Sequence, residues 1–109
     1  MTQDLFKTVT SSWVAPTEYP TIEKRVAVDL ETCDTDLKKM GPGWPRKVGD
    51  VIGIAISSGD FTAYYPIAHE GGGNMDRKKV LKWFQGVLST PALKIFHNAM
   101  YDVCWIRAL

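Results

Sequence analysis

Apolar and polar residues alternate in the first half of the chain and recur at helical spacing in the second. From Lys24 to Thr32 the segment KRVAVDLET sets Val26, Val28 and Leu30 on one side and Ala27, Asp29 and Glu31 on the other. That is the period of a β-strand. Val51 to Ser57 reads as a second strand, with Ile52, Ile54 and Ile56 opposite Gly53 and Ala55. A turn at Ser58, Gly59 and Asp60 returns the chain as a third, antiparallel strand over Phe61 to Ile67. Pro66, which has no N–H to give a ladder, makes its end an edge or an exit. Val80, Leu81, Phe84, Val87 and Leu88 then recur as the apolar stripe of a helix. Asn74 is a candidate N-cap for it, and Thr90 with Pro91 stops it. Leu93 to His97 reads as a short buried strand, and Asn98 as the cap of a last helix, Ala99 to Leu109. Three strands in a meander, then a helical crossover to a fourth, predict an α/β fold: a mixed sheet packed by helices.

The remaining segments are connectors. Met1 to Ile22 has no consistent period and carries Pro16 and Pro20, so it is expected to be an arm whose Phe6 and Trp13 pack onto the body. Residues 23 to 109 form the domain proper. Cys33 to Gly49, with GPGWPR, is expected to be a loop, and Gly71 to Gly73 a flexible turn rather than a phosphate-binding loop, because no Lys and Ser or Thr follow.

Composition narrows the function classes. With 109 residues the chain has room for one small domain. Thirteen Lys and Arg against twelve Asp and Glu leave a net charge of +1. That balance excludes a polybasic or acidic tail as the basis of function, so any nucleic-acid contact must be local. The two cysteines, Cys33 and Cys104, have no metal-ligand spacing and read as reduced thiols of a cytosolic protein. No apolar run approaches the ~18 residues of a membrane span, and the polar start lacks the apolar core of a signal peptide.

Two features carry candidate chemistry. Asp29 and Glu31 point to the same side of one strand, about 6.6 Å apart along it. Carboxylates so placed are costly to bury unless paired or bound to a cation, and Mg²⁺ or Mn²⁺ takes oxygen ligands of this kind. The plainer alternative is a strand that ends at Asp29, leaving both acids solvated. Asn98 and Asp102 lie one helical turn apart at the start of the last helix and share a face, although each alone is explained as a cap or a first-turn acid. His69 and His97 lack zinc spacing. Arg77, Lys78, Lys79 and Lys82 read as a solvated helix face, and Trp44 and Trp83 as packing residues.

Together, VAVDLET and FHNAMYD resemble the first two motifs of the 3′–5′ proofreading exonuclease domain of family A DNA polymerases, of bacteriophage type. Those domains belong to the DEDD exonucleases and have a ribonuclease-H-like fold. DxET matches at Asp29, Glu31 and Thr32, and NxxYD at Asn98, Tyr101 and Asp102. VIGIAIS, AYYPIAHE, the arm SSWVAPTEYP and the loop GPGWPR are also similar to that family, so the likeness runs from about Trp13 to Leu109. The resemblance implies hydrolysis of the 3′-terminal phosphodiester of single-stranded DNA by two divalent ions (Mg²⁺ or Mn²⁺), about 3.5–4 Å apart in such sites. It implies that Asp29 bridges both ions, Glu31 ligates one and orients water, and Asp102 holds the second. Leu30, Thr32, Asn98 and Tyr101 would contact the terminal nucleotide.

The family's third motif, YxxxD, with the fourth acid, is not found before Leu109. The expectation is therefore the N-terminal part of such a domain, with weakened metal affinity and rate. Its expected partners are a single-stranded 3′ end and the remainder of a polymerase chain or a self-associated copy, in the host cytoplasm. A non-catalytic nucleic-acid- or protein-binding remnant of the fold, or a related DEDD ribonuclease, are the alternatives.

Overall fold

The computed structural model describes residues 13 to 109. Its elements are β1 (Arg25–Cys33), a single helical turn α1 (Leu37–Met40), a 3-10 turn (Trp44–Arg46), β2 (Asp50–Ser58), β3 (Phe61–Pro66), α2 (Arg77–Ser89), β4 (Leu93–Phe96) and α3 (Ala99–Ala108). The strands form one four-stranded sheet in the order β3-β2-β1-β4. β2 runs antiparallel to β1 and β3, while β4 runs parallel to β1 after the α2 crossover. The sheet is thus mixed, as the element order predicts, and compatible with part of a ribonuclease-H-like fold.

Period-two alternation decides which side of the sheet is dry. Val26, Val28 and Leu30 of β1 join Ile54 and Ile56 of β2 and Tyr65 of β3 in one core, closed by Val80, Phe84 and Val87 of α2 and by Trp105 of α3. The arm also contributes. Ile22 is buried, the Tyr65 hydroxyl donates to the Glu18 carbonyl (2.7 Å) and the Trp83 indole N–H to the Pro20 carbonyl (3.0 Å). Tyr19 packs edge-on against Trp83, and burial, with Tyr19 and Glu18 nearby, pushes the Tyr65 phenol up to about 12. Trp83 is therefore a packing residue, as expected. Trp13 meets the Tyr64 ring at 6.3 Å, whereas Phe6 lies outside the described residues.

Several expectations need correction. Leu93 to His97 is not a buried strand: β4 ends at Phe96, and Leu93 and Ile95 are 63% and 45% exposed. Their side of the sheet has no covering layer among the described residues, so apolar character there does not imply burial. Asp76, not Asn74, caps α2, accepting from the backbone N–H groups of Lys78 and Lys79. Asn74 instead closes the Gly71–Gly73 turn through two hydrogen bonds with the His69 backbone. Asn98 does stand at the N-cap of α3, but in the left-handed region (φ 55°) and with no side-chain cap bond. The loop between β1 and β2 holds two short helical turns. A register shift between Glu31 and Thr32 pairs Thr32 with Val51, and Val51, rather than Ile52, is the fully buried residue there.

No helix among the described residues is long and apolar enough to cross a membrane. Cys33 and Cys104 are both free. Phe84 is almost wholly buried, so Phe84→Ala is expected to cost about 3–5 kcal/mol, against about 1 kcal/mol for removing the Asp76 cap in Asp76→Ala. Urea unfolding of the two variants measures both; comparable costs would contradict the assigned core.

Candidate functional site

The site is built where β1 outruns β4. β4 pairs with Arg25 to Val28 and stops opposite Val28. Asp29 to Cys33 continue along β2 alone. β1 does not end at Asp29, so the strand-terminus alternative fails, although both acids are solvent-exposed as that alternative held. Asp29 and Glu31 instead share the exposed side of a continuous strand, opposite Ala55 and Gly53. A Cβ at Gly53 would overlap the Tyr64 hydroxyl, so only glycine leaves room for that ring. The Tyr64 hydroxyl bonds His69 Nε2 at 2.5 Å, and burial first, then the Glu31 charge, raise its pKa.

From Phe96 the chain turns through the left-handed Asn98 and enters α3. The first turn of that helix brings Asp102 back to β1. Asp102 is 4% exposed, the one buried charged residue among those described, and its Oδ2 has no hydrogen-bond partner. Burial pushes its carboxyl above the usual carboxylate range; a hydrogen bond from the Leu30 backbone opposes that shift, the Asp29 charge adds to it, and the His97 side chain's charge opposes it. Asp29 and Asp102 are therefore near enough to feel each other's charge.

One residue earlier, the Tyr101 hydroxyl donates to Asp34 Oδ2 (2.9 Å) and meets Thr32 Oγ1 at 3.0 Å. The same Asp34 oxygen accepts the Gly43 backbone N–H at 3.0 Å, and Asp34 Oδ1 is buried without a partner. Asp34 thus ties the β1–β2 loop to α3. Burial raises the Tyr101 pKa, with Thr32 and Trp105 opposing and Asp34 adding to the shift.

The structure therefore joins Thr32 to Tyr101 by a hydrogen bond and sets Asp102 within range of the Asp29 charge. Glu31 stands two residues beyond Asp29 on the same side of β1. Asn98 is exposed at the start of α3, and the Leu30 side chain points into the core (7% exposed). Among the described residues no three His, Cys, Asp or Glu side chains gather into a group that could hold a metal. Asp29 and Asp102 do offer oxygen donors, one of them buried and unpartnered, and that is the donor chemistry hard cations take. Tyr64, His69 and Asp34 were not singled out from the sequence as part of this region. Tyr64 and His69 lie in AYYPIAHE, where spacing gives no hint that one ring reaches the other.

The fold and this acidic strand end define an α/β domain with a carboxylate site at the C-terminal part of its central strand. No family model matches the chain. Over an 87-residue alignment covering 74% of its length it is 47% identical to a DNA-directed DNA polymerase of Pseudomonas phage M6. The chain spans 13% of that protein's length. It is thus a polymerase-related region, similar to a small part of a phage DNA polymerase.

Asp102 gives a pH-dependence that is independent of any ligand. The native state holds this proton to a higher pH than the unfolded chain does, so its contribution to stability is fully present below the ordinary value of 3.8 and is lost as pH rises through the raised native value. In EDTA, Asp102→Asn is expected to melt above the wild type at pH 7, and the two curves are expected to converge toward pH 4. A pH-independent difference in melting temperature would contradict the assigned burial cost.

Proposed function

We propose that this chain is part of the 3′–5′ exonuclease domain of a DNA polymerase of family A, acting on a single-stranded DNA 3′ end in proofreading. The observation that carries the reading is the Asp102 carboxylate, buried with one oxygen unpartnered and set against Asp29, in a chain similar to a phage DNA polymerase. A buried carboxylate left half-satisfied is destabilising, and a divalent cation offsets that cost. Asp29 and Asp102 would hold Mg²⁺ or Mn²⁺, with Glu31 as the further ligand one strand repeat along. When bound, the two ions supply charge neutralisation at the phosphodiester and a more acidic water.

The chain's own residues then orient the substrate. Glu31 would orient the attacking water and take its proton, the water oxygen bonding to phosphorus as the bond to the 3′ oxygen of the preceding nucleotide breaks and that oxygen takes a proton from solvent. The product is a nucleoside 5′-monophosphate. Thr32 and Tyr101, already joined by a hydrogen bond, would flank the terminal nucleotide, with Asn98 at the entrance to α3. Leu30, whose side chain is committed to the core, would make contact through its backbone. The remainder of a polymerase chain is the fitting partner, and the cytoplasm of the host cell the fitting compartment.

Two experiments test the reading. Mn²⁺ is expected to raise the melting temperature of the wild type and of Lys78→Ala but not of Asp29→Ala; equal shifts in all three would refute the metal site. A 3′-labelled single-stranded oligonucleotide is expected to release labelled mononucleotide in Mn²⁺, with a loss of at least about tenfold in Asp29→Ala. No release from a folded, Mn²⁺-stabilised chain would instead favour a non-catalytic binding remnant, a reading consistent with the lack of a three-carboxylate group among the described residues.

A further inference from the structure

A second cavity lies beyond the acids, at the end of β1 and the start of β2. It has a volume of about 630 Å³ and is lined by Trp44, Lys47, Asp50, Arg77, Trp105 and Arg107, among others. Three of its eleven lining residues are cations, brought by three different elements: the β1–β2 loop, the first position of α2 and the last turn of α3. The single acid, Asp50, is engaged, since Oδ1 accepts from the Val51 backbone N–H at 2.8 Å and faces Arg77 Nη2 at 3.4 Å. Asp76, beside Arg77 in sequence, is occupied with capping α2. Arg77 Nη1 is buried and has no hydrogen-bond partner among the described residues.

A cavity lined by three cations and one acid, that acid paired with Arg77 through Oδ1, carries a positive excess that favours an anionic ligand. Cations arriving from three elements suit a tetrahedral oxyanion, which accepts in three directions, better than a planar carboxylate, which accepts in one plane. We propose that this cavity binds a phosphate group, with Arg77 as its principal donor and Lys47 and Arg107 as supporting charges. The ligand class is a phosphate monoester or diester, free or in a nucleic-acid strand. The proposal does not depend on metal binding by Asp29 and Asp102.

Isothermal titration calorimetry in EDTA separates the two sites. Inorganic phosphate and thymidine 5′-monophosphate are expected to bind saturably to the wild type and equally to Asp29→Ala. Arg77→Gln and Arg107→Gln are expected to weaken binding about tenfold or more, the loss of one hydrogen bond to a charged group. Arg77→Gln is expected to stay folded, because its ion pair with Asp50 is exposed and such pairs contribute little. Tighter binding of the mononucleotide than of phosphate would support a free nucleotide as the source. Tighter, salt-sensitive binding of a 3′-blocked oligothymidylate would support a strand phosphodiester. Absence of binding at millimolar phosphate, undiminished binding in Arg77→Gln, or acetate binding as well as phosphate would overturn the proposal; the last would assign the cavity to a polypeptide carboxylate.

Discussion

The candidate site depends on a mismatch in strand length. β1 has nine residues and β4 four, and β4 pairs only with the first part of β1. A β-strand edge left without a neighbour exposes backbone groups that must find partners elsewhere. Here α3 turns back through Asn98 so that the Asp102 carboxyl in its first turn meets the backbone of Leu30. That turn sets Asp102 against Asp29 and Tyr101 against Thr32 and Asp34. Had β4 been two residues longer, its backbone would have occupied this position and the acids would have had no reason to meet.

The same arrangement explains why the site works against stability. The sheet side bearing Val26, Val28 and Leu30 is closed by apolar groups and contributes burial at every alternate position. The strand end offers the opposite: a buried carboxylate with one oxygen idle, and a second carboxylate whose charge disfavours ionisation of the first. Nothing in core packing requires an acid at position 102, since an uncharged residue of similar volume would fit there at lower cost. Groups held at such a cost are concentrated at functional sites, and this distinguishes Asp102 from Asp76, which is exposed and caps α2 through one oxygen.

What was legible in the sequence follows from how local each determinant is. Period two placed Asp29 and Glu31 on one side of β1, and helical spacing placed Val80, Phe84 and Val87 in the core, because both patterns are set by the backbone of a single element. The exposure of Leu93 and Ile95 was not legible, because it depends on what covers the other side of the sheet rather than on β4 itself. The Asn98 cap failed for a related reason. A short polar residue suits either a side-chain cap or a left-handed turn, and the need to swing α3 onto β1 selects the turn. Asp34 was missed because its partners, Gly43 and Tyr101, are joined to it only by tertiary folding.

Net charge also concealed the electrostatic layout. A balance of +1 over the whole chain suggests no preference for an anionic partner, yet the charges are segregated around the end of β1. Asp29, Glu31 and Asp102 lie on one side of that end, whereas Lys47, Arg77 and Arg107 line the cavity beyond it. Cys33 pairs with Asp50, so that cavity begins two residues past Glu31 along the strand, about 6.6 Å at the rise of a β-strand. The acids suit the cations proposed for the strand end, and the bases, of which Arg77 is paired with Asp50, suit the phosphate proposed for the cavity. A phosphate-bearing chain with its counter-ions would supply both, which a protein ligand with carboxylates alone would not.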